Sequence, residues 1–155
     1  MKTTFCALLF SETGIKWGHI GDSRIYYFRN GRVESQTRDH SVPQMLSEAG
    51  MIRPDDIRSH PDRNKLLQCM GTEWDGKPYE IEMSIPRKGE QFFLLCSDGF
   101  WEQIYEGEME RLLQNAEGPQ TWLDAKLRIV KERGSGEEMD NYSAIAVWRD
   151  RKSVV

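Results

Sequence analysis

Two acidic turns that border strand-like apolar runs most constrain how this chain can fold. The turn at Asp98 follows the apolar run Phe92–Cys96, and the turn at Asp140 precedes the run Tyr142–Trp148. A third acidic turn, at Asp22, separates two strand-like stretches near the N-terminus. Each turn puts a carboxylate at the end of a predicted strand. The three aspartates are therefore candidates to converge at one sheet edge as ligands of hard divalent cations.

Each of these turns also has an ordinary structural interpretation. An aspartate next to glycine or asparagine is common turn chemistry, and at a strand end it more often shapes the turn than binds a metal. The turn at Asp22 is also compatible with a tight connection closed by an ion pair with Arg24. Taken singly, the turns leave open an unrelated α+β domain with acidic loops.

The composition fits one domain with a core of ordinary size. The chain has 155 residues, of which 38% are apolar and 30% are charged. Its formal charge is −4, and no cluster of Lys and Arg suggests a track for a phosphate backbone. We therefore expect no nucleic-acid partner.

The cysteines and the apolar runs favour a cytoplasmic protein. The three cysteines lack C-x-x-C spacing, and Cys6 and Cys96 fall in strand patterns, which predicts buried free thiols in a reducing compartment. The apolar stretch Phe5–Phe10 is too short for a signal peptide and predicts a strand. No run approaches the roughly 18 apolar residues of a membrane span, so we expect no membrane contact.

The periodicity predicts antiparallel strands with segregated helices, an α+β class. Asn-Gly at 30–31 is a strong signal for a hairpin turn. The predicted strands are Thr3–Phe10, Ile15–Ile20, Arg24–Arg29, Arg32–Gln36, Lys65–Met70, Tyr79–Ile85, Phe92–Cys96 and Tyr142–Trp148. The predicted helices are Pro43–Ala49, Asp55–Ser59, Gly107–Gln114 and Gln120–Arg133, the last with an apolar face of Trp122, Leu123, Leu127, Ile129 and Val130.

The motifs are more specific as an ordered series than singly. The series is Gly-Asp-Ser-Arg at 21–24, Thr-Arg-Asp-His-Ser at 37–41, His-Pro-Asp-Arg-Asn at 60–64, Cys-Met-Gly-Thr at 69–72, Ser-Asp-Gly at 97–99 and Asp-Asn at 140–141. Over about residues 3–148 it resembles the metal-dependent protein phosphatase family (PPM, type 2C), especially its compact bacterial members. The resemblance implies an antiparallel β-sandwich flanked by helices (α-β-β-α) over residues 1–150, with 151–155 as a tail.

The resemblance also implies a binuclear Mg²⁺ or Mn²⁺ centre that activates a water for hydrolysis of phosphoserine and phosphothreonine. Carried over by position, Asp98 and Asp140 are ligands of the core metal pair. Asp22 is expected to help hold a third, more weakly bound metal together with Asp98. No catalytic residue is predicted beyond the metal ligands.

Four residues are expected to support these ligands. Gly99 is expected to let the chain turn sharply behind Asp98, and Asn141 to fix the second acidic loop. Gly21 is the glycine of the Asp22 turn. His40, within the Thr-Arg-Asp-His-Ser motif, is expected to order its loop rather than to act as a general acid.

Part of the family's domain has no counterpart in this sequence. The family's N-terminal third carries a Glu-Asp pair, an Asp-Gly-x-Gly-Gly loop and an arginine that grips the phosphate, and none of these motifs occurs here. Two divalent cations bring a charge of +4, whereas Asp98 and Asp140 bring −2, so the metals should bind weakly. The resemblance therefore implies an N-terminally truncated domain that is weak or inactive alone, with unpaired sheet edges.

The partners that follow are a phosphoprotein substrate or a Ser/Thr kinase partner. The unpaired edges also predict possible self-association, or completion by a complementing N-terminal segment. A pseudophosphatase that works as a binding or regulatory module is the alternative function. The missing ligands favour that module, whereas the retention of all three aspartates favours the enzyme.

Overall fold

The computed structural model of the chain describes residues 1–73, 76, 81–136 and 140–149, with only the backbone for 81–84. The chain divides into two compact units, one formed by Met1–Ser23 with Thr37–Pro86 and the other by Arg24–Gln36 with Arg87–Val155. No helix within the described residues has the length and hydropathy needed to cross a bilayer.

The described residues form seven strands and four α-helices. The strands are β1 (Phe5–Phe10), β2 (Ile15–Ile20), β3 (Arg24–Arg29), β4 (Arg32–Gln36), β5 (Ile81–Ile85), β6 (Gln91–Cys96) and β7 (Ala144–Arg149). The helices are α1 (Val42–Glu48), α2 (Asp98–Trp101), α3 (Glu106–Gln114) and α4 (Pro119–Gly134), and a 3-10 helix spans Pro54–Ser59.

The first unit is built on a three-stranded antiparallel sheet in the order β1-β2-β5. In β2 the side chains of Ile15 and Trp17 are buried while Lys16 between them is exposed, which is the alternation of a strand with one covered face. Helix α1 begins after Ser41, whose hydroxyl accepts the Gln44 N–H at 3.4 Å.

The second unit is built on a four-stranded antiparallel sheet in the order β4-β3-β6-β7. Asn30 and Gly31 both have positive φ, 51° and 75°, as a two-residue hairpin turn requires. The ring of Trp122 on α4 packs edge-on against Phe28 at a centroid distance of 5.0 Å. Its indole N–H donates to the Met109 carbonyl of α3 at 3.1 Å, so one aromatic side chain joins both helices and the sheet.

Most predicted elements are confirmed, and the differences have local causes. The strand predicted over Lys65–Met70 is wrong, because this segment makes only two isolated bridges, Ser41 with Leu66 and Thr3 with Met70. The one-turn helix α2 was not predicted, since four residues are too few for a helical period to show. The start of the predicted strand Tyr79–Ile85 lies outside the described residues.

The apolar face predicted for α4 is partly wrong. The buried residues of this helix are Trp122, Lys126, Val130 and Gly134, at a spacing of four. Leu123, Leu127 and Ile129 are only half-buried. Lys126 therefore lies on the buried face of α4, which a count of apolar residues cannot predict.

Candidate metal centre

The turns at Asp98 and Asp140 lie side by side in the second unit. Asp98 directly follows Ser97 at the end of β6, and Asp140 lies shortly before β7, the antiparallel neighbour of β6. Two hydrogen bonds join the loops: the Ser97 N–H donates to the Ser143 carbonyl at 3.0 Å, and the Ser143 N–H donates to the Ser97 hydroxyl at 2.9 Å. The structure thus brings these two predicted ligands to one edge of the sheet.

Gly99 allows the two loops to approach each other closely. A Cβ at this position would lie 2.6 Å from the Asn141 carbonyl oxygen and 2.8 Å from the Asp140 carbonyl oxygen. That Gly99 lets the chain turn sharply behind Asp98 stays a prediction; Gly99 lies within α2, directly after the end of β6, and is not among the described residues with positive φ. Its function is to leave room for the backbone of the second acidic loop.

Both carboxylates are oriented by the amide that follows them. Oδ1 of Asp98 accepts the Gly99 N–H at 2.9 Å, and Oδ1 of Asp140 accepts the Asn141 N–H at 2.8 Å. Asp98 is half-buried and Asp140 is exposed. Asn141 thus contributes to the loop through its backbone, with its N–H to Asp140 and its carbonyl against Gly99.

The Asp22 turn belongs to the first unit and is held rigidly there. Gly21 has a φ of +100°, and a Cβ on it would lie 2.9 Å from the Cβ of Thr4. The Gly21 N–H donates to Nδ1 of His40 at 3.1 Å, and the His40 N–H donates to the Gly21 carbonyl at 2.9 Å. His40 therefore has the loop-ordering contacts predicted for it, and Asp22 is buried at 7% exposure.

The thiol of Cys6 in β1 is not a candidate nucleophile. Burial, and next the negative charge of Asp22, raises the pKa of Cys6 to about 11, although a hydrogen bond with Ser23 opposes the shift. A thiol with this pKa stays protonated at neutral pH, and only the thiolate is a good nucleophile. Cys6 therefore does not supply a thiolate at neutral pH.

The donor atoms fit a hard cation in kind but not in number. Carboxylate oxygens are the ligands that Mg²⁺ and Mn²⁺ prefer, and Asp98 and Asp140 offer them from adjacent loops. Over the described residues, however, no three side chains of His, Cys, Asp or Glu form a group that would hold a metal ion. Asp98 and Asp140 therefore form only part of the ligand set that a metal ion needs.

The sequence suggested Arg24 only as an ion-pair partner of Asp22 that closes the turn, and the structure gives it contacts beyond that turn. It is 2% exposed, and its guanidinium carbon lies 3.4 Å from the centroid of the Trp101 ring in α2. Nη1 donates to the Tyr26 hydroxyl at 3.0 Å and lies 3.8 Å from Oε1 of Glu106. Arg24 thus packs against the helix that begins with Asp98.

We expect Arg24→Met to destabilise the second unit by about 1–2 kcal/mol, because it removes a buried cation that donates to the Tyr26 hydroxyl and lies beside the Glu106 carboxylate. Urea unfolding followed by tryptophan fluorescence measures the change. Arg32→Met, at an exposed position of β4, is the matched control and should change the stability by less than about 0.5 kcal/mol. Equal stability of the two variants would contradict the role of Arg24.

Comparison with known proteins relates the whole chain to phosphatases. It is 33% identical over 150 residues to the serine/threonine phosphatase stp of Listeria monocytogenes, which covers 97% of this chain and 58% of that protein. The crystal structure of a bacterial serine phosphatase matches with a TM-score of 0.79 at 30% identity, over 96% of this chain and 58% of that one. No family model matches the chain.

One further solved structure that the chain matches contains metal ions. The catalytic domain of the serine/threonine protein phosphatase PstP, in complex with two manganese ions, matches with a TM-score of 0.73 at 25% identity. The match covers 97% of this chain and 60% of that one. The chain therefore spans about three fifths of the length of the relatives it matches.

Proposed function

The chain belongs to the PPM (type 2C) family of metal-dependent protein phosphatases, and from this premise we propose that it is the part of a serine/threonine phosphatase domain that carries two adjacent metal-binding loops. The observation that carries the proposal is the packing of Gly99 on the backbone of Asp140 and Asn141, which places the Asp98 and Asp140 loops together. The proposed substrates are phosphoserine and phosphothreonine in proteins.

The roles proposed for the residues follow from their positions. Asp98 and Asp140 would hold Mg²⁺ or Mn²⁺, and Asp22 stays the predicted ligand of a third, weaker cation. Bound divalent cations supply Lewis-acid activation of a water and neutralise charge on the phosphate. The backbone amides that hold Oδ1 of Asp98 and Asp140 keep these carboxylates in one orientation, which reduces the rearrangement needed when a cation binds.

The isolated chain should be a poor catalyst. Two neighbouring carboxylates neutralise only part of the charge of two divalent cations, and cations held by few protein ligands keep most of their waters and bind weakly. We propose that a segment carrying the remaining family motifs completes the site, either as part of the same protein or as a separate chain. The described loops then contribute Asp98 and Asp140, and that segment contributes further ligands.

The test is hydrolysis of p-nitrophenyl phosphate and of a phosphothreonine peptide by the purified chain, with Mn²⁺ or with EDTA. We expect little turnover from the chain alone and Mn²⁺-dependent turnover once the N-terminal third of a PPM phosphatase is added as a separate polypeptide. Asp98→Asn should weaken Mn²⁺ binding by about tenfold to a hundredfold, because it removes a charged ligand while keeping the shape of the side chain.

The matched control is Asp124→Asn, which removes an exposed carboxylate on α4, where Asp124 accepts a hydrogen bond from Gln120 at 2.8 Å. This variant should keep the Mn²⁺ affinity and the activity of the parent chain. Turnover that persists in EDTA, or equal loss in the two variants, would contradict the metal-dependent function. Full activity of the chain alone would contradict the proposed incompleteness.

A pseudophosphatase that acts as a binding module is the second candidate. It is favoured by the lack of any three-residue group of metal-ligating side chains over the residues that the structure describes. Such a module would show no turnover even with the added segment, and its partner binding would not change with Mn²⁺ or with Asp98→Asn. The same experiments therefore separate the two functions.

A further inference from the structure

Helix α2, which begins with Asp98, is too short to hold its own position. It has four residues, and its backbone bonds close a single turn: Trp101 N–H donates to the Ser97 carbonyl at 3.2 Å, and Glu102 N–H donates to the Asp98 carbonyl at 2.9 Å. A first helical turn fixes several backbone dihedrals for one hydrogen bond and is unfavourable by itself. The orientation of Asp98 therefore depends on what the helix packs against.

The first residues of α2 are held by the second acidic loop. The Ser97 hydroxyl, at the N-cap position, accepts the Ser143 N–H at 2.9 Å. Gly99 lies so close to this loop that a Cβ on it would be 2.8 Å from the Asp140 carbonyl oxygen. These contacts fix the start of the helix, and its last residue packs on a different part of the unit.

That last residue is Trp101, whose side chain is 2% exposed. The guanidinium carbon of Arg24 lies 3.4 Å from the centroid of the Trp101 ring, and Arg24 is also 2% exposed. Such contacts are strongest where both partners are desolvated. Because Trp101 follows Asp98 by three positions, both lie on the same side of the one-turn helix. A shift of the Trp101 ring would therefore move Asp98 as well.

Arg24 provides Trp101 with a rigid surface. It is the first residue of β3 and pairs with Cys96 at the end of β6. Its Nη1 donates to the Tyr26 hydroxyl at 3.0 Å, and that hydroxyl donates to Oε1 of Glu106, the first residue of α3, at 3.2 Å. The guanidinium is thus fixed by the central strands and by a longer helix.

We propose that Trp101 is a positioning residue, which packs on Arg24 and thereby keeps α2 in the orientation that lets Oδ1 of Asp98 accept the Gly99 N–H. Two consequences follow. The Gly99 amide is protected in the metal-free chain, and the affinity for Mn²⁺ depends on Trp101 through Asp98. Only the second consequence rests on the proposed function.

The first test is hydrogen exchange in the metal-free chain, measured by NMR for the amides of Gly99 and Leu94. Leu94 lies in β6, which pairs with strands on both sides, so its amide reports the opening of the whole unit. We expect Trp101→Leu to accelerate exchange at Gly99 by about tenfold more than at Leu94. Arg24→Met should do the same, and the double variant should add little, because the two side chains act together.

The matched control is Leu113→Ala, which also removes a buried side chain from the second unit. Leu113 lines a cavity with Arg29 and Phe92, at the opposite end of β3 and β6 from Arg24 and Cys96. This variant should destabilise the unit without disturbing α2, so the ratio of the Gly99 rate to the Leu94 rate should stay at the parent value.

The second test is calorimetric titration with Mn²⁺. We expect Trp101→Leu to weaken binding by about tenfold in the parent chain and by less than about twofold in the Asp98→Asn background, since Trp101 acts through Asp98. Leu113→Ala should keep the parent affinity. A parent chain that binds no Mn²⁺ would contradict the metal-dependent function, while the exchange rates would still test the role of Trp101.

Two outcomes would overturn the inference. One is a ratio of Gly99 to Leu94 exchange in Trp101→Leu that equals the ratio in the parent chain. The other is an equal loss of Mn²⁺ affinity in the parent and Asp98→Asn backgrounds. If circular dichroism shows that Trp101→Leu does not fold, Trp101→Phe replaces it. This variant keeps a smaller ring on Arg24 and should raise the ratio by about threefold.

Discussion

Lys126→Met should raise the free energy of unfolding at neutral pH by several kcal/mol and abolish most of its increase between about pH 6 and pH 10. Lys126 is fully buried in α4, and its Nζ lies 2.8 Å from the centroid of the Trp122 ring. Nζ has no hydrogen-bond partner in the part of the chain that the structure describes. An ammonium group in this position would lose its hydration without a compensating carboxylate.

The pKa of Lys126 decides the sign of this effect. Burial lowers it from 10.5 to about 6, although the negative form of Cys96 would act in the opposite direction. Between these two pH values the unfolded chain holds a proton that the folded chain does not, so folding releases a proton. The unfolding free energy therefore rises by about 1.4 kcal/mol per pH unit across this window and levels off below it.

Urea unfolding at a series of pH values, recorded by tryptophan fluorescence, measures the slope for the parent chain and for Lys126→Met. Methionine keeps the length of the aliphatic chain, so the packing changes little. The control is Lys131→Met on the same helix, where the side chain is exposed and the slope should match the parent. A parent slope retained in Lys126→Met would show that Lys126 is charged in the folded chain.

Gly99→Ala should destabilise the second unit by about 3 kcal/mol or more and weaken Mn²⁺ binding by at least tenfold. The new Cβ would overlap two carbonyl oxygens, of Asp140 and Asn141, within 3 Å. Both atoms belong to backbone, which cannot move aside as a flexible side chain can. The Asp98 and Asp140 loops would have to separate, and the two carboxylates would move apart with them.

Gly107→Ala is the control for this prediction, and it should change the stability in the opposite direction. Gly107 lies in α3, and nothing lies within 4 Å of a Cβ placed there. Because alanine favours a helix over glycine, this variant should be more stable by about 0.5–1 kcal/mol. Thermal unfolding and Mn²⁺ titration of the two variants should thus give opposite changes in stability, and a neutral Gly99→Ala would contradict the close contact between the loops.

The strands were predictable because their signal is local. Neighbouring residues alone produce the alternation in β2 and the Asn-Gly turn between β3 and β4. The structure has both features where they were expected. The predicted strand Lys65–Met70 failed because a ladder needs a partner strand that is remote in sequence. This segment has no such partner strand among the described residues and makes only two isolated bridges.

The candidate site was predictable in its chemistry but not in its geometry. The turn chemistry of Asp98 and Asp140 places a carboxylate at each strand end, and the ordered motifs relate both to one family. The sequence did not show that Gly99 packs on the other loop, because this contact joins residues more than 40 positions apart. Nor did it show that Arg24 packs beneath the same helix.

The sequence by itself determined the α+β class, the strand ends that carry Asp22, Asp98 and Asp140, and the family, because each rests on short motifs in a fixed order. Only the tertiary structure decided which loops are neighbours and that a lysine, rather than a leucine, fills the core side of α4. Burial and close approach depend on packing between distant segments. A local pattern limits such contacts but does not specify them.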